Sequence, residues 1–251
     1  MKYPMSDNKY DYIAEYSEGL AHVALNKKHG FIDENGNEII PPIYELAFDF
    51  HNGFAQVTNN GKWGIIDKTG KLRVNTIYDY VQELDEGFAL VELNDKYGLV
   101  DKDGQEVIPI IYDFSYGYSE GLIGMQLNGK WGFLDGAGKV VIPFVWDDAE
   151  HFSEGLAYVG LDYKCGYIDK TGKVVIPLIY DSAGAFSEGL ACVELDGEYG
   201  FIDKAGKEVI PLMYDFAQDF SGGKARVNLD GEWLTIDKNN KDCASDDAEN
   251  E

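Results

Sequence analysis

The stretch FSEGLACVELDGEYGFIDKAGKEVIPLMYD, from Phe186 to Asp215, decides the fold because the chain contains similar copies of it. The stretch from Phe152 to Asp181, 34 residues earlier, reads FSEGLAYVGLDYKCGYIDKTGKVVIPLIYD. A fixed period of roughly 20 to 50 residues is the sequence signature of a protein that stacks one small unit on the next. The period therefore sets the frame in which strands, turns and candidate sites are placed.

The period holds along nearly the whole chain. A glycine recurs every 34 residues at Gly30, Gly64, Gly98, Gly132, Gly166 and Gly200, and Leu234 takes the next position of the series. The residues before this series are His29, Trp63, Tyr97, Trp131, Cys165, Tyr199 and Trp233. A second aromatic series runs through Tyr10, Tyr44, Tyr78, Tyr112, Trp146, Tyr180 and Tyr214. Seven units therefore extend from Tyr10 to about Lys241.

Each unit is typical of a meander of short antiparallel strands. In LACVEL, Ala191, Val193 and Leu195 alternate with the residues between them, as in a strand with one buried face. An Asn or Asp, followed by Gly in four units, indicates a two-residue hairpin, and DKAGK indicates a second turn. The third strand ends in a proline such as Pro211, which cannot donate a hydrogen bond, so we expect this strand at a sheet edge. The segment IYDSAGAFSEG that follows is interpreted as a connector.

One such meander is too small to bury both of its faces, so its neighbours have to supply the missing core. The sequence thus predicts an all-β fold of seven 34-residue three-stranded antiparallel meander repeats, stacked as a curved open array. The alternative is a closed seven-bladed propeller-like ring. We expect an N-terminal segment at residues 1–9, a single repeat domain at 10–241, and an acidic disordered tail at 242–251, which reads DCASDDAENE.

The motifs GKWGIIDKTGK, GKWGFLDGAGKVVIP and FSEGLA give the chain a known relative. The chain resembles the bacterial WG (or KWG) repeat family over positions 10 to about 241. It departs from the motif at His29, Cys165 and Leu234, and at Val74-Asn75-Thr76, where Val-Ile-Pro is expected. The resemblance implies an all-β repeat architecture and an interaction role. It implies no single catalytic activity.

Charge and composition exclude several classes of partner. The formal net charge of −24 repels phosphate backbones and anionic lipid, so we expect neither nucleic acid nor a membrane as partner. The three cysteines form no metal-spaced cluster, and their odd number does not suit a disulfide framework. The first residues, MKYPMSDNKYDY, lack the apolar core of a secretory signal, which favours the cytoplasm. We expect no metal and no cofactor.

No catalytic motif stands out from the repeat. The chain contains no GxSxG, P-loop or GxGxxG pattern, and its acidic turn residues recur as repeat columns. The sequence therefore favours a noncatalytic scaffold that binds a protein or peptide. A carbohydrate or small-ligand binding module is one alternative. An enzyme with an unrecognised acidic site, assembled from residues far apart in sequence, is the other.

Columns that differ between repeats are the place to look for an individual function. Just after each Tyr-Asp pair, several variable positions carry large aromatic residues beside acids, as a protein interface would. We predict a binding patch formed by Phe48, Tyr80, Phe114 and Tyr116. The alternative interpretation is that these rings pack over the connector.

Overall fold

The computed structural model describes residues 9–83 and 87–243, with the backbone alone of Glu83. These residues form 27 β-strands and no α-helix, so the part described holds no helix that could cross a membrane. The strands group into seven antiparallel sheets, which confirms the predicted all-β repeat fold. Consecutive sheets begin 34 residues apart, at Tyr12, Leu46, Tyr80, Phe114, Asp148, Ser182 and Phe216.

The strands of each sheet follow chain order, from a first to a fourth strand in six sheets and to a third strand in the seventh. The first strands are β1 (Tyr12–Ser17), β5 (Leu46–Ala47), β9 (Tyr80–Glu83), β13 (Phe114–Ser119), β17 (Asp148–Ala149), β21 (Ser182–Ala183) and β25 (Phe216–Ala217). The second strands are β2 (Leu20–Leu25), β6 (Phe54–Asn59), β10 (Phe88–Leu93), β14 (Leu122–Leu127), β18 (Leu156–Leu161), β22 (Leu190–Leu195) and β26 (Lys224–Leu229).

All third strands but the last carry the glycine series, and all fourth strands but that of the second sheet carry a proline. The third strands are β3 (Lys28–Asp33), β7 (Lys62–Asp67), β11 (Lys96–Asp101), β15 (Lys130–Asp135), β19 (Lys164–Asp169), β23 (Glu198–Asp203) and β27 (Glu232–Asp237). The fourth strands are β4 (Glu38–Tyr44), β8 (Leu72–Tyr78), β12 (Glu106–Tyr112), β16 (Val140–Trp146), β20 (Val174–Tyr180) and β24 (Glu208–Tyr214).

The first strands correct the expectation of three-stranded units. The sequence analysis assigned these residues to a connector, but their backbone pairs with the second strand of the same sheet. In the sixth sheet, for example, Ser182 pairs with Glu194 and Ala183 with Val193. Six sheets consequently have four strands, and the seventh sheet has three.

The fourth strand lies at the sheet edge, as its proline predicts. Its pairing with the third strand shifts register at the recurrent glycine, between Trp131–Trp146 and Phe133–Ile142 in the fourth sheet. The two backbones approach so closely there that a Cβ on Gly132 would stand 2.8 Å from the Ile142 carbonyl oxygen. The lack of a side chain at this glycine therefore allows the two strands to approach closely, and the glycine is not part of a turn.

The seventh sheet lacks both the recurrent glycine and the fourth strand in the described chain. Leu234 takes the glycine position in β27, and no fourth strand runs beside it in the described chain. Only the start of such a strand is present, where Ile236 pairs with Asp242 and the Cys243 N–H donates to the Thr235 carbonyl oxygen at 2.7 Å. The predicted tail from 244 onward and the N-terminal residues 1–8 lie outside the described residues.

The chain divides after Tyr112 into two compact units. In the first unit, the side chains of the first and second sheets share one core cluster that includes Phe31, Tyr44 and Phe50. In the second unit, the fourth and fifth sheets share a cluster around Phe133 and Trp146. The core of each unit thus lies between successive sheets, which is the stacking that the repeat predicts. The open array and the ring stay predictions.

Polar contacts also join successive sheets, and they explain the recurrent Ser-Glu-Gly turn. The Ser17 hydroxyl donates to the Phe50 carbonyl oxygen at 2.7 Å, and the Glu18 carboxylate accepts from the Gly53 N–H at 2.9 Å. Lys68 Nζ completes the group by contacting both the Glu18 carbonyl oxygen and its carboxylate. We call this group the Ser-Glu clip.

The Ser-Glu clip recurs three times in the second unit with the same spacing. The serine contacts are Ser119–Phe152, Ser153–Phe186 and Ser187–Phe220. The glutamates Glu120, Glu154 and Glu188 accept from Gly155, Gly189 and Gly223 and pair with Lys170, Lys204 and Lys238. These acids therefore serve the scaffold.

Candidate binding surface

The four predicted binding residues all lie on or just after first strands. Phe114 and Tyr116 flank Ser115 in β13, and Ser115 is buried with its hydroxyl donating to the Gly124 carbonyl oxygen at 3.1 Å. Because side chains alternate along a strand, the two aromatic rings point to the opposite face. Phe48, Tyr80, Phe114 and Tyr116 expose between 42% and 52% of their surface.

In the second unit the structure brings Phe114 and Tyr116 together around Trp131. Tyr116 stacks on Trp131 with ring centroids 4.4 Å apart. Phe114 meets both rings edge-on, at 5.5 Å from Tyr116 and 5.9 Å from Trp131. Trp131 is buried as a result, with 4% of its surface exposed. Each outer ring thus covers the tryptophan of the repeat and also presents surface to solvent.

In the first unit the two predicted residues contact different partners. Phe48 stacks on the half-buried Trp63 with ring centroids 5.7 Å apart. Tyr80 starts β9 opposite Glu92, and Glu92 in turn lies opposite Tyr97. Burial is the largest cause that raises the pKa of Tyr97, and the neighbouring carboxylate of Glu92 raises it further. Within each unit, exposed aromatics therefore lie beside the third-strand aromatic series.

The sequence analysis missed a second-strand position that belongs to the same face. In each sheet the register places one second-strand residue between the first-strand residue and the third-strand aromatic position. The rows of three are Tyr12–Ala24–His29, Leu46–Thr58–Trp63, Tyr80–Glu92–Tyr97, Phe114–Gln126–Trp131, Asp148–Gly160–Cys165, Ser182–Glu194–Tyr199 and Phe216–Asn228–Trp233. The two-residue hairpin turn, which the sequence shows, fixes this register and was the signal that could have revealed the second-strand position.

Acidic groups without a cation partner lie on this face in the second unit. Tyr158 donates its hydroxyl to Asp148 at 3.1 Å. Burial raises the pKa of Glu150, and the carboxylates of Asp148 and Asp219 raise it further against the opposing field of His151. Among the described residues, no Lys or Arg forms an ion pair with Glu150 or Asp219.

The acids that stabilise the scaffold, by contrast, have a cation partner and a lowered pKa. Asp147 pairs with Lys130, which holds its pKa below the ordinary value, and its second oxygen accepts from the Asp162 N–H at 3.1 Å. Asp181 is held in the same way by Lys164 and the Asp196 N–H. The described acids therefore include scaffold acids with a cation partner, such as Asp147 and Asp181, and acids without a Lys or Arg partner, such as Glu150.

A cavity of about 360 Å³ opens between the sixth and seventh sheets of the second unit. Its lining includes Gly184, Cys192, Glu194, Tyr199, Phe216 and Asp219. The rings of Tyr199 and Phe216 lie 5.3 Å apart with their planes inclined by 49°. Burial raises the pKa of the Cys192 thiol to about 12, with smaller contributions from Asp219 and Glu194, so the thiol is neutral.

A metal centre is not visible in the described part of the chain, where no three His, Cys, Asp or Glu side chains are grouped to hold an ion. His22 and His29 do meet in the first unit, with His22 Nε2 and His29 Nδ1 2.6 Å apart and their rings stacked. Burial lowers the pKa of His22, and the neighbouring His29 lowers it further. His29 thus packs in the aromatic series.

Seven small antiparallel sheets in tandem, with variable aromatic and acidic rows on one face, define a β-repeat protein. The model of the WG containing repeat matches residues 30–63, 63–97, 97–131, 131–165, 166–199 and 199–233. The chain therefore belongs to the WG repeat family.

Comparison with solved structures supports the fold alone. The chain is similar to a eukaryotic initiation factor with a TM-score of 0.52 and 9% identity, over 87% of this chain and 71% of that one. It is also similar to Kluyveromyces lactis Hsv2 with a TM-score of 0.41 and 11% identity, over 90% of each chain. The all-β fold thus has propeller-like structural neighbours. A search of curated proteins gave no match.

Proposed function

We propose that this chain is a noncatalytic repeat scaffold that binds a protein or peptide partner through the exposed aromatic rings of its first strands. The observation that carries the proposal is the cluster of Phe114 and Tyr116 over Trp131, because half-exposed rings on a rigid sheet are the usual anchors of a protein interface. Phe48 and Tyr80 provide comparable rings in the first unit.

The scaffold supports such a role physically. The first-strand residues are held by backbone pairing and by a buried small residue between them, so the rings lose little freedom on binding. The recurring columns provide the core and the Ser-Glu clips, and the variable rows provide chemistry that differs from sheet to sheet. We propose the cytoplasm as the compartment, with neither nucleic acid nor membrane as partner. The buried free thiols and the charge of −24 are consistent with this.

The test is a quantitative capture experiment with immobilised full-length chain. The double variant Phe114→Ser with Tyr116→Ser removes the rings, and the control variant Val145→Ser with Ile179→Ser removes exposed apolar side chains from fourth strands of the same unit. We expect the first variant to lose at least about tenfold of the partner captured by the wild type, and the control to retain it.

A thermal melt separates binding from folding. Because the two rings also cover Trp131, we expect the double variant to melt at a lower temperature than the wild type but still in one transition, so capture is compared below both melting temperatures. Equal capture by wild type and double variant contradicts the proposal. An equal loss in the control variant contradicts it as well, because it would indicate nonspecific apolar adhesion.

A further inference from the structure

The cavity between the sixth and seventh sheets combines three properties that favour a ligand. It has a volume of about 360 Å³, within the range of small-ligand pockets. Two aromatic rings, Tyr199 and Phe216, form part of its wall. Two carboxylates, Glu194 and Asp219, contribute its charge, and no Lys or Arg is among its lining residues.

The position of Asp219 depends on a glycine in the neighbouring repeat. A Cβ on Gly184 would stand 2.8 Å from Asp219 Oδ1, so any larger residue would displace the carboxylate. The backbone of Gly184 is itself fixed, because its N–H donates to the Cys192 carbonyl oxygen and its carbonyl oxygen accepts from the Tyr167 hydroxyl. The carboxylate of Asp219 thus lies against a backbone segment that hydrogen bonds hold in place.

The charge of this carboxylate is not compensated by its surroundings. Protein around Asp219 raises its pKa, and its field reaches Glu150 in the fifth repeat and Cys192 beneath it. The described residues provide no ion pair to Asp219 or to Glu194. A cation that entered the cavity would therefore meet two carboxylates without an ion pair, the solvent-exposed one of Asp219 and the half-buried one of Glu194, which also accepts a hydrogen bond from the Tyr199 hydroxyl.

We propose that this cavity receives the guanidinium group of an arginine from the bound partner. A planar guanidinium can lie against the rings of Tyr199 and Phe216 while its N–H groups donate to the carboxylates of Asp219 and Glu194. An ammonium group is a compact and strongly hydrated point charge, and it matches this combination of ring and carboxylate less well. The inference rests on the proposed function in that the arginine belongs to a peptide or protein partner.

The test uses fluorescein-labelled Gly-Ser peptides of equal length that carry arginine, lysine or citrulline at the same spaced positions. Fluorescence anisotropy measures their binding to the full chain at low salt. We expect the arginine peptide to bind more tightly than the lysine peptide, and the uncharged citrulline peptide to show no binding. Added salt should weaken the binding.

Substitutions then assign the binding to the cavity. Asp219→Asn keeps the shape and removes the charge, and we expect it to weaken the arginine peptide about tenfold. Phe216→Leu removes one ring and should weaken it about threefold. Glu34→Gln removes the same charge at an exposed turn of the first sheet, and we expect less than a twofold change.

Three outcomes overturn the inference: equal affinity of arginine and lysine peptides, wild-type affinity in Asp219→Asn, or an equal loss in Glu34→Gln. The failure of the inference is distinguishable from that of the proposed function. If partner capture depends on Phe114 and Tyr116 while the affinity of the arginine peptide does not depend on Asp219, the proposed function stands and the cavity assignment fails. If peptide binding depends on Asp219 while capture is independent of both rings, the aromatic surface fails and the cavity stands.

Discussion

Replacing Gly132 with alanine tests the structural role of the glycine that defines the repeat. The new Cβ would stand 2.8 Å from the Ile142 carbonyl oxygen and 2.9 Å from the ring of Phe144, where ordinary contacts start near 3.4 Å. The third and fourth strands of this sheet would have to separate by about half an ångström at that point. The perturbation is therefore confined to one pair of strands.

The size of the effect follows from what the fourth strand buries. Forcing one extra methyl group into packed structure costs about 1–3 kcal/mol, and loss of the buried Ile142 side chain from the core would cost about 2–5 kcal/mol. Because the strand can move without leaving the core altogether, we expect Gly132→Ala to lower the free energy of unfolding by about 2–3 kcal/mol.

The same sheet provides a matched control. A Cβ on Gly124, in β14, would meet the Phe133 ring at an ordinary 3.4 Å, and Gly124 does not have a positive φ. Alanine there restricts the unfolded chain without straining the folded one, so we expect a change between zero and about 1 kcal/mol of stabilisation. The two variants carry the same chemical change, which removes any general effect of adding a methyl group.

Urea unfolding, followed by both circular dichroism and tryptophan fluorescence, measures the difference. Coincident transitions and unchanged slopes would show that the two variants share the unfolding behaviour of the wild type. The reasoning is refuted if Gly132→Ala loses less than about 0.5 kcal/mol, or if Gly124→Ala loses as much as Gly132→Ala.

Two further predictions concern titratable groups. Lys204 lowers the pKa of Glu154, so this contribution to stability is present above the pKa of the unfolded chain and disappears as the pH falls through the folded pKa. Glu154→Gln should therefore show a smaller acid-induced fall in the free energy of unfolding than the wild type, and an equal fall would contradict a stabilising clip. Burial raises the pKa of Cys165 to about 11 and that of Cys192 to about 12. In a Cys243→Ser variant, which removes the third thiol, a thiol-specific disulfide reagent at neutral pH should modify neither residue until the chain is unfolded. Rapid modification of the native variant would refute their burial.

The backbone of the repeat could be predicted from sequence because its signals are local and recur. Proline at position 211 predicts an edge strand, and the fixed spacing of the glycines predicts equal units. Four of the seven first strands could not be predicted, since each has only two residues, as β21 does with Ser182 and Ala183, and a strand of that length shows no alternation. Its pairing depends on the second strand beside it, which only the folded chain reveals.

The candidate surface was predictable only in part. The exposure of Phe114 and Tyr116 was expected from their variable columns, and the structure shows them exposed. Their stacking on Trp131 was not expected, because that contact depends on the register across three strands. The cavity around Asp219 was missed for a further reason. Its rings, Tyr199 and Phe216, lie in columns that the sequence shows. Their proximity to Asp219 depends on how two adjacent sheets pack, which no column of the sequence marks.

The Ser-Glu clip also constrains how such a chain can change in length. Each clip joins residues separated by 33, 35 and 50 positions, so a short insertion within a strand or within the Ser-Glu-Gly turn would shift these residues and break several contacts at once. Duplication or loss of a complete 34-residue unit leaves every clip intact. Members of this kind of chain are thus expected to gain and lose whole modules during evolution, while small insertions are confined to the hairpin tips.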